Sequence, residues 1–288
     1  MFDYLFKSLA VALLFFTFAL SSKAEIILRN NTGNGFGNEI AFTQFPVSTP
    51  PGGPHDFEIL TCTTTSTGSN FFFDPSPDVF TNLDSGSCDT TNQGMVGTCV
   101  LGLWQRALGS AGGSENTCSW NDPTRAFATA SMRWSGVDFD NPIVEEECVT
   151  GFGATATAPS VNAEEGSEVV RIFNFGVSSS NLRNNTTQVQ DGSIKILVIV
   201  DLEVDFQAVL LEALSFSNAA AGQTGEYQLF LPEEVGDEEA IAPWRACTIT
   251  LRPEVRNVPT MSEWGLGVFA ALFGIAAVWA LRRRAVRA

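Results

Sequence analysis

The sequence predicts a mainly β protein: an antiparallel, sandwich-like exported domain with one apolar helix at each end of the chain. Three observations carry that prediction. Short runs rich in β-branched and aromatic residues alternate with turn clusters such as Pro50-Pro51-Gly52-Gly53-Pro54 and Asp84-Ser85-Gly86-Ser87, the punctuation of short strands joined by turns. From Val200 the chain alternates strictly, Val200, Leu202, Val204 and Phe206 against Asp201, Glu203, Asp205 and Gln207, which is the period of a half-buried strand. Ahead of residue 258 no sustained helical period of 3.6 appears.

Taken in order, residues 1–24 have the make-up of a secretory signal peptide. Lys7 precedes an apolar run over 9–20, and Ser22 and Ala24 supply the small residues that a signal peptidase needs. Cleavage is therefore expected before Glu25. The strand-like runs that follow are 39–45, 57–63, 100–106, 127–139, 169–177, 227–231 and 246–251. The stretch 194–216 runs for 23 residues without Gly, Pro or Asn. Its first part is the alternating strand, and after Gln207 the pattern admits a second strand or two helical turns, of which two long strands are preferred. Residues 150–166, small and polar with Pro159 among them, are the best place for a subdivision of the region 25–257. Such a length can bury a core as one large domain or two small ones.

Six cysteines, Cys62, Cys88, Cys99, Cys118, Cys148 and Cys247, all lie in that region. An even count in an exported chain points to disulfides, and three bridges can connect in 15 ways that sequence does not distinguish. No pair has C-x-x-C spacing, and His55 is the single histidine, so a zinc or redox motif has no material. Between Glu25 and Val258 lie 30 acidic and 10 basic side chains, a net charge of −20, with Lys195 the one lysine. That field repels nucleic acid and anionic lipid, which are rejected as partners. No cofactor is expected. Calcium is the exception worth naming, because carboxylate oxygens are its preferred ligands.

Two acidic groups are candidates for weak calcium binding. Asp201, Glu203 and Asp205 share one face of a strand, spaced about 6.5–7 Å apart along it. Asp138 and Asp140, with Asn141, end another run but lack the Gly and Glu of an EF-hand loop. A solvated outer face is the plainer reading of the first group. Enzyme signatures are missing. There is no G-x-S-x-G and no phosphate loop, and Gly151-Phe152-Gly153-Ala154-Thr155-Ala156 is followed by Thr157 and Pro159 where a helix would have to start. A Ser-His-Asp triad would have to use His55 beside Asp56, in a Pro/Gly-rich loop.

The C-terminus is the most specific part of the chain. Val258-Pro259-Thr260-Met261-Ser262-Glu263-Trp264-Gly265 leads into an apolar segment, and Arg282, Arg283, Arg284 and Arg287 close it. The stretch 264–281 would make about 27 Å of helix, just enough for a bilayer core of about 30 Å. The arginines favour a cytoplasmic C-terminus. A plain anchor accounts for helix and arginines but not for Pro259, Thr260, Trp264 and Gly265. Those residues resemble the IPTL-CTERM sorting signal of Gram-negative bacteria, whose core reads Ile-Pro-Thr-Leu-x-x-Trp-Gly, with Val258 and Met261 here replacing Ile and Leu.

The resemblance implies that residues 258–288 are the substrate of an exosortase-family membrane transpeptidase. The helix would then be a temporary tether, cut near the motif once residues 25–257 are outside, and the product would reach the cell surface. The expected function is non-enzymatic: structural, adhesive or matrix-associated, for a surface ligand that the sequence does not identify. The alternatives are a polysaccharide hydrolase with a carboxylate pair, and a sugar- or protein-binding module using Trp104, Trp120 or Trp134.

Overall fold

A computed structural model describes residues 22–48, 51–64, 71–74, 81–88, 100–107, 115–177, 194–202, 207–230 and 242–256. The chain forms two compact units, one of Met1–Ala24 with Val255–Ala288 and one of Glu25–Glu254. Residues 1–21 of the signal segment and the apolar tail lie outside the described residues.

Every regular element among the described residues is a strand. The first are β1 (Ser22–Lys23), β2 (Ile27–Ser48), β3 (Phe57–Thr64) and β4 (Phe71–Asp74). Next come β5 (Thr81–Ser87), β6 (Val100–Ala107), β7 (Glu115–Ser135) and β8 (Ile143–Gly153). The short β9 (Thr155–Ala158) and β10 (Asn162–Ala163) lead into β11 (Ser167–Val177), β12 (Ile194–Leu202) and β13 (Gln207–Ala219). The last are β14 (Gly222–Gln223), β15 (Tyr227–Phe230), β16 (Ala242–Leu251) and β17 (Val255–Arg256).

Two large antiparallel sheets dominate Glu25–Glu254. One has the order β2-β7-β3-β6-β5, with β4 added to β7, and the other has the order β12-β13-β11-β16-β8. Both contribute to one buried cluster. Phe57, Ile59, Leu101, Ala130, Met132 and Trp134 come from the first sheet; Val170, Ile172, Cys247, Ile249 and Leu251 come from the second. Period two explains the membership. Along β11 the even-numbered Val170 and Ile172 face this cluster, and the odd-numbered Phe173 faces away. Phe173 is nonetheless fully buried, because the β9–β15 pair covers that side, with Tyr227 6.0 Å from its ring. On β16 the same alternation turns Thr248 and Thr250 outward, where their hydroxyls donate to the carbonyls of Pro159 at 2.6 Å and Asn162 at 2.8 Å. Buried hydroxyls need such acceptors.

The expected strands at 57–63, 100–106, 169–177 and 246–251 all occur, most of them extended by a few residues. The ambiguous stretch 194–216 resolves into two strands: β12 and β13 pair directly, from Ile194↔Ser215 to Leu202↔Gln207. The run expected over 127–139 stops at Ser135, because Gly136 turns the chain at φ +78°. Residues 150–166 form the end of β8, β9 and β10 within the unit Glu25–Glu254. Strand β8 was not expected. Its Glu145-Glu146-Glu147 run has low strand propensity, but Glu146 and Glu147 are exposed on a sheet edge, where charge is tolerated and discourages further pairing.

The cysteines staple this arrangement. Cys62 on β3 is bonded to Cys118 on β7, and Cys148 on β8 to Cys247 on β16. Cys88 is also disulfide-bonded, and Cys99 lies outside the described residues. None of the described cysteines is free. The Cys148–Cys247 bridge joins cross-strand partners and ties the edge strand to its neighbour across 99 residues of sequence. Closing so long a loop restricts the unfolded chain strongly. Replacing both residues by alanine should lower stability by about 2–5 kcal/mol, seen as a lower urea midpoint. An unchanged midpoint would mean that this bridge does not hold β8.

Candidate functional site

The sorting-motif residues Val258, Pro259, Thr260, Met261, Trp264 and Gly265 and the basic stop Arg282, Arg283 and Arg284 lie outside the described residues. The chain leading to them is described, and it is pinned. The Asp138 amide donates to the Arg252 carbonyl at 2.9 Å, and the Arg252 amide to the Pro142 carbonyl at 2.7 Å. Val137 and Pro253 form an isolated bridge. The Glu254 amide then donates to the Gly136 carbonyl at 2.8 Å. From the other end of the same unit, the Glu25 backbone passes over Gly136 so closely that a Cβ there would lie 2.3 Å from the Glu25 carbonyl oxygen. Gly136 has neither that Cβ nor the penalty for positive φ. Both ends of Glu25–Glu254 thus converge on one glycine. In the other unit, β1 and β17 pair antiparallel, Ser22 opposite Arg256 and Lys23 opposite Val255.

The candidate calcium ligands fare differently. Asp138 is partly engaged, since its Oδ1 accepts the amides of Asp140 at 3.0 Å and Asn141 at 3.1 Å. This is the usual side-chain-to-backbone turn of an aspartate. Asp140 is exposed beside it. Asp201 sits near the end of β12, opposite Ala208, while Glu203 and Asp205 lie outside the described residues.

A cluster that the sequence did not reveal joins Asp84 to Cys148 and Cys247, their ligand atoms within 4.8 Å of one another. It offers no thiolates, because the two sulfurs are bonded to each other, and Arg245 takes the Asp84 carboxylate in an ion pair. Asp84 also acts on Glu146: the residue as a whole is exposed, but its carboxyl end is partly desolvated against the sheet, which pushes it up first, and the neighbouring negative charge of Asp84 adds to the rise. Only the fold brings Asp84, from β5, to these two strands.

Acids beside His55 are already occupied. Asp56 accepts from Arg133 Nε at 3.1 Å and from the Gly53 amide at 2.6 Å, a pair almost wholly buried. The next acid, Glu58, accepts from the Ser131 hydroxyl at 2.5 Å. His55 instead stands edge-on to Phe139, with ring centroids 5.4 Å apart. Trp134 is fully buried and so presents no face to a ligand; the side chains of Trp104 and Trp120 lie outside those described.

Between the two large sheets sits a polar chain. The Trp134 indole N–H donates to the Ser215 hydroxyl at 3.3 Å, and that hydroxyl donates to Glu168 Oε1. Among the described residues no hydrogen-bond partner is placed on Glu168 Oε2, which is buried. Burial pushes its carboxyl above the ordinary glutamate value, against the opposing pull of Ser215 and Trp134.

Residues 258–284 match the IPTL-CTERM motif. No curated protein and no solved structure matches this chain. The motif is of the kind sorted by an exosortase-type system to the cell surface, and the match covers the tail alone.

The Glu168 geometry makes a signed prediction. A carboxyl with a raised folded pKa holds its proton longer in the native state than in the unfolded chain. Its contribution is therefore most favourable below the unfolded value, declines as pH rises to the folded value, and is flat above it. Glu168→Gln keeps the shape without the titration. Urea unfolding across this pH window should show a stability decline in the wild type that is reduced in the variant. Parallel profiles would reject the assignment.

Proposed function

We propose that this chain is an exported surface protein whose folded region, Glu25–Glu254, is delivered by its C-terminal sorting signal. Its role at the surface is structural, adhesive or matrix-associated rather than catalytic. The observation that carries the reading is the IPTL-CTERM match at residues 258–284, directly after a disulfide-bonded β domain. Disulfides belong to an oxidising compartment, and the −20 net charge of residues 25–258 suits a protein that must stay soluble outside the cell.

The processing steps follow from the two ends. Signal peptidase would free Glu25. The helix over 264–281 would hold the chain in the inner membrane, with Arg282 to Arg284 on the cytoplasmic side, until an exosortase-type transpeptidase cuts near the motif. That cut breaks one peptide bond. The tail keeps the new amino group, and the acyl group of the exported part passes to water or to an amine of the acceptor. Proline inside a helix costs about 3 kcal/mol or more, so Pro259 would favour a non-helical motif that an enzyme could grip.

Replacing Pro259 and Thr260 by alanine should leave export and insertion intact while trapping a full-length, membrane-bound form. C-terminal peptide mapping of wild type and variant from the same host reads this directly. If both retain Arg282 to Ala288 equally, the tail is a permanent anchor.

A further inference from the structure

Each large sheet ends on an edge strand, β5 in one and β8 in the other, and the fold brings these edges together at one disulfide. Asp84 of β5 has a carboxylate oxygen within 4.8 Å of both sulfurs of the Cys148–Cys247 bridge. Arg245, two residues before Cys247, takes that carboxylate in an ion pair. Its guanidinium lies against Gly86 of β5, where a Cβ would stand 2.6 Å from Nη1. Glu146 precedes Cys148 by two residues on β8, so the two side chains share a face, about 6.5–7 Å apart along the strand.

The two bridges described at both ends differ in reach. Cys62 and Cys118 are 1% and 0% exposed, on strands β3 and β7 that have neighbours on both sides. Cys148 is half-buried, on a strand with one neighbour in its sheet. The Asp84 side chain beside it is 30% exposed, whereas Cys247 is fully buried. An attacking group therefore meets this bridge from the Cys148 side.

We propose that Cys148–Cys247 is an exchangeable disulfide, a site at which the folded protein takes up a thiol that carries positive charge. The incoming thiolate attacks Cys148 Sγ and forms a new S–S bond there. The Cys148–Cys247 bond breaks, its electron pair goes to Cys247 Sγ, and that sulfur takes a proton from water. One disulfide replaces another, so the step consumes neither oxidant nor reductant. Charge sets the preference among thiols. Asp84 and Arg245 offset one another, while Glu146 adds a negative charge on the face of Cys148. Its carboxyl end is partly desolvated, so solvent and salt screen it less than a surface acid. Residues 25–258 carry a net charge of −20 around it, a field that repels an anionic thiol and draws in a cationic one. The bridge thus gives the protein a covalent handle that does not depend on how its tail is processed.

Timed thiol exchange on the folded protein from its native host tests this. The probes are cysteamine, whose amine is positive, and 2-mercaptoethanesulfonate, whose sulfonate is negative, each in large excess at about pH 8. Acid quenching, alkylation and peptide mass then give the state of each bridge. Each rate is divided by that thiol's rate with a small uncharged disulfide, which removes intrinsic nucleophilicity. Cys148–Cys247 should open in proportion to thiol concentration while Cys62–Cys118 stays closed. Cysteamine should lead by about tenfold at low salt, the scale of a two-charge difference near an acid at the protein surface. Glu146→Gln, at an exposed position, should cut that lead to about threefold. If both bridges open together at a rate independent of thiol concentration, exchange waits for unfolding and the proposal is overturned. Equal normalised rates for the two probes would overturn it too, as would a cysteamine lead that Glu146→Gln leaves unchanged.

Discussion

The Trp134 indole lies fully buried between the two large sheets, and its N–H must find an acceptor there because no solvent reaches it. It finds Ser215 on β13, and Ser215 in turn donates to Glu168 on β11. One aromatic side chain therefore fills the largest share of the common core and supplies the polar link between the layers. Truncating such a side chain costs about 3–5 kcal/mol. The link carries a second cost, an acidic oxygen left without a partner among the described residues. Burial favours its protonated form, so the layers are joined by a neutral acid when that form prevails.

The same constraint fixes the ends of the domain. Strand β7 carries Trp134 into the core and must stop soon afterwards, which it does at Gly136 with a left-handed turn. The carbonyl of that glycine takes the Glu254 amide, and its missing side chain leaves room for the Glu25 backbone. The core, the turn and the two ends are thus consecutive consequences of three residues, Trp134, Ser135 and Gly136. The disulfides Cys62–Cys118 and Cys148–Cys247 then lock strands that are far apart in sequence.

Much of the strand content was legible because period-two alternation and turn residues are local signals. The stretch 194–202 with 207–219 shows the limit of this: of the alternating residues 200–207 only Val200 to Leu202 fall in β12 and Gln207 opens β13, with 203–206 outside the described residues, and the second strand was distinguished from helix only by its pairing with the first. Strand β8 was illegible because three glutamates disguise an edge strand, whose stability comes from Cys247 and its other partners on β16. The cysteine pairing, the Asp84 cluster and the meeting at Gly136 all join residues distant in sequence, and no local pattern encodes them. The tail was the opposite case. Its motif is short, contiguous and chemically unusual, with Pro259, Thr260, Trp264 and Gly265 at fixed spacing, and the match at residues 258–284 agrees with that reading. The surface role stayed illegible since no described cluster of side chains converges on a ligand.

The central claim is that Glu25–Glu254 is one body whose two ends meet at Gly136. Its most direct test is pulsed dipolar spectroscopy on the protein carrying spin labels at positions 25 and 254. Neighbouring strands lie about 5 Å apart, so with two label linkers the account predicts one narrow distribution below about 20 Å. A broad distribution centred beyond about 30 Å, on the scale of an unfolded chain, would contradict it.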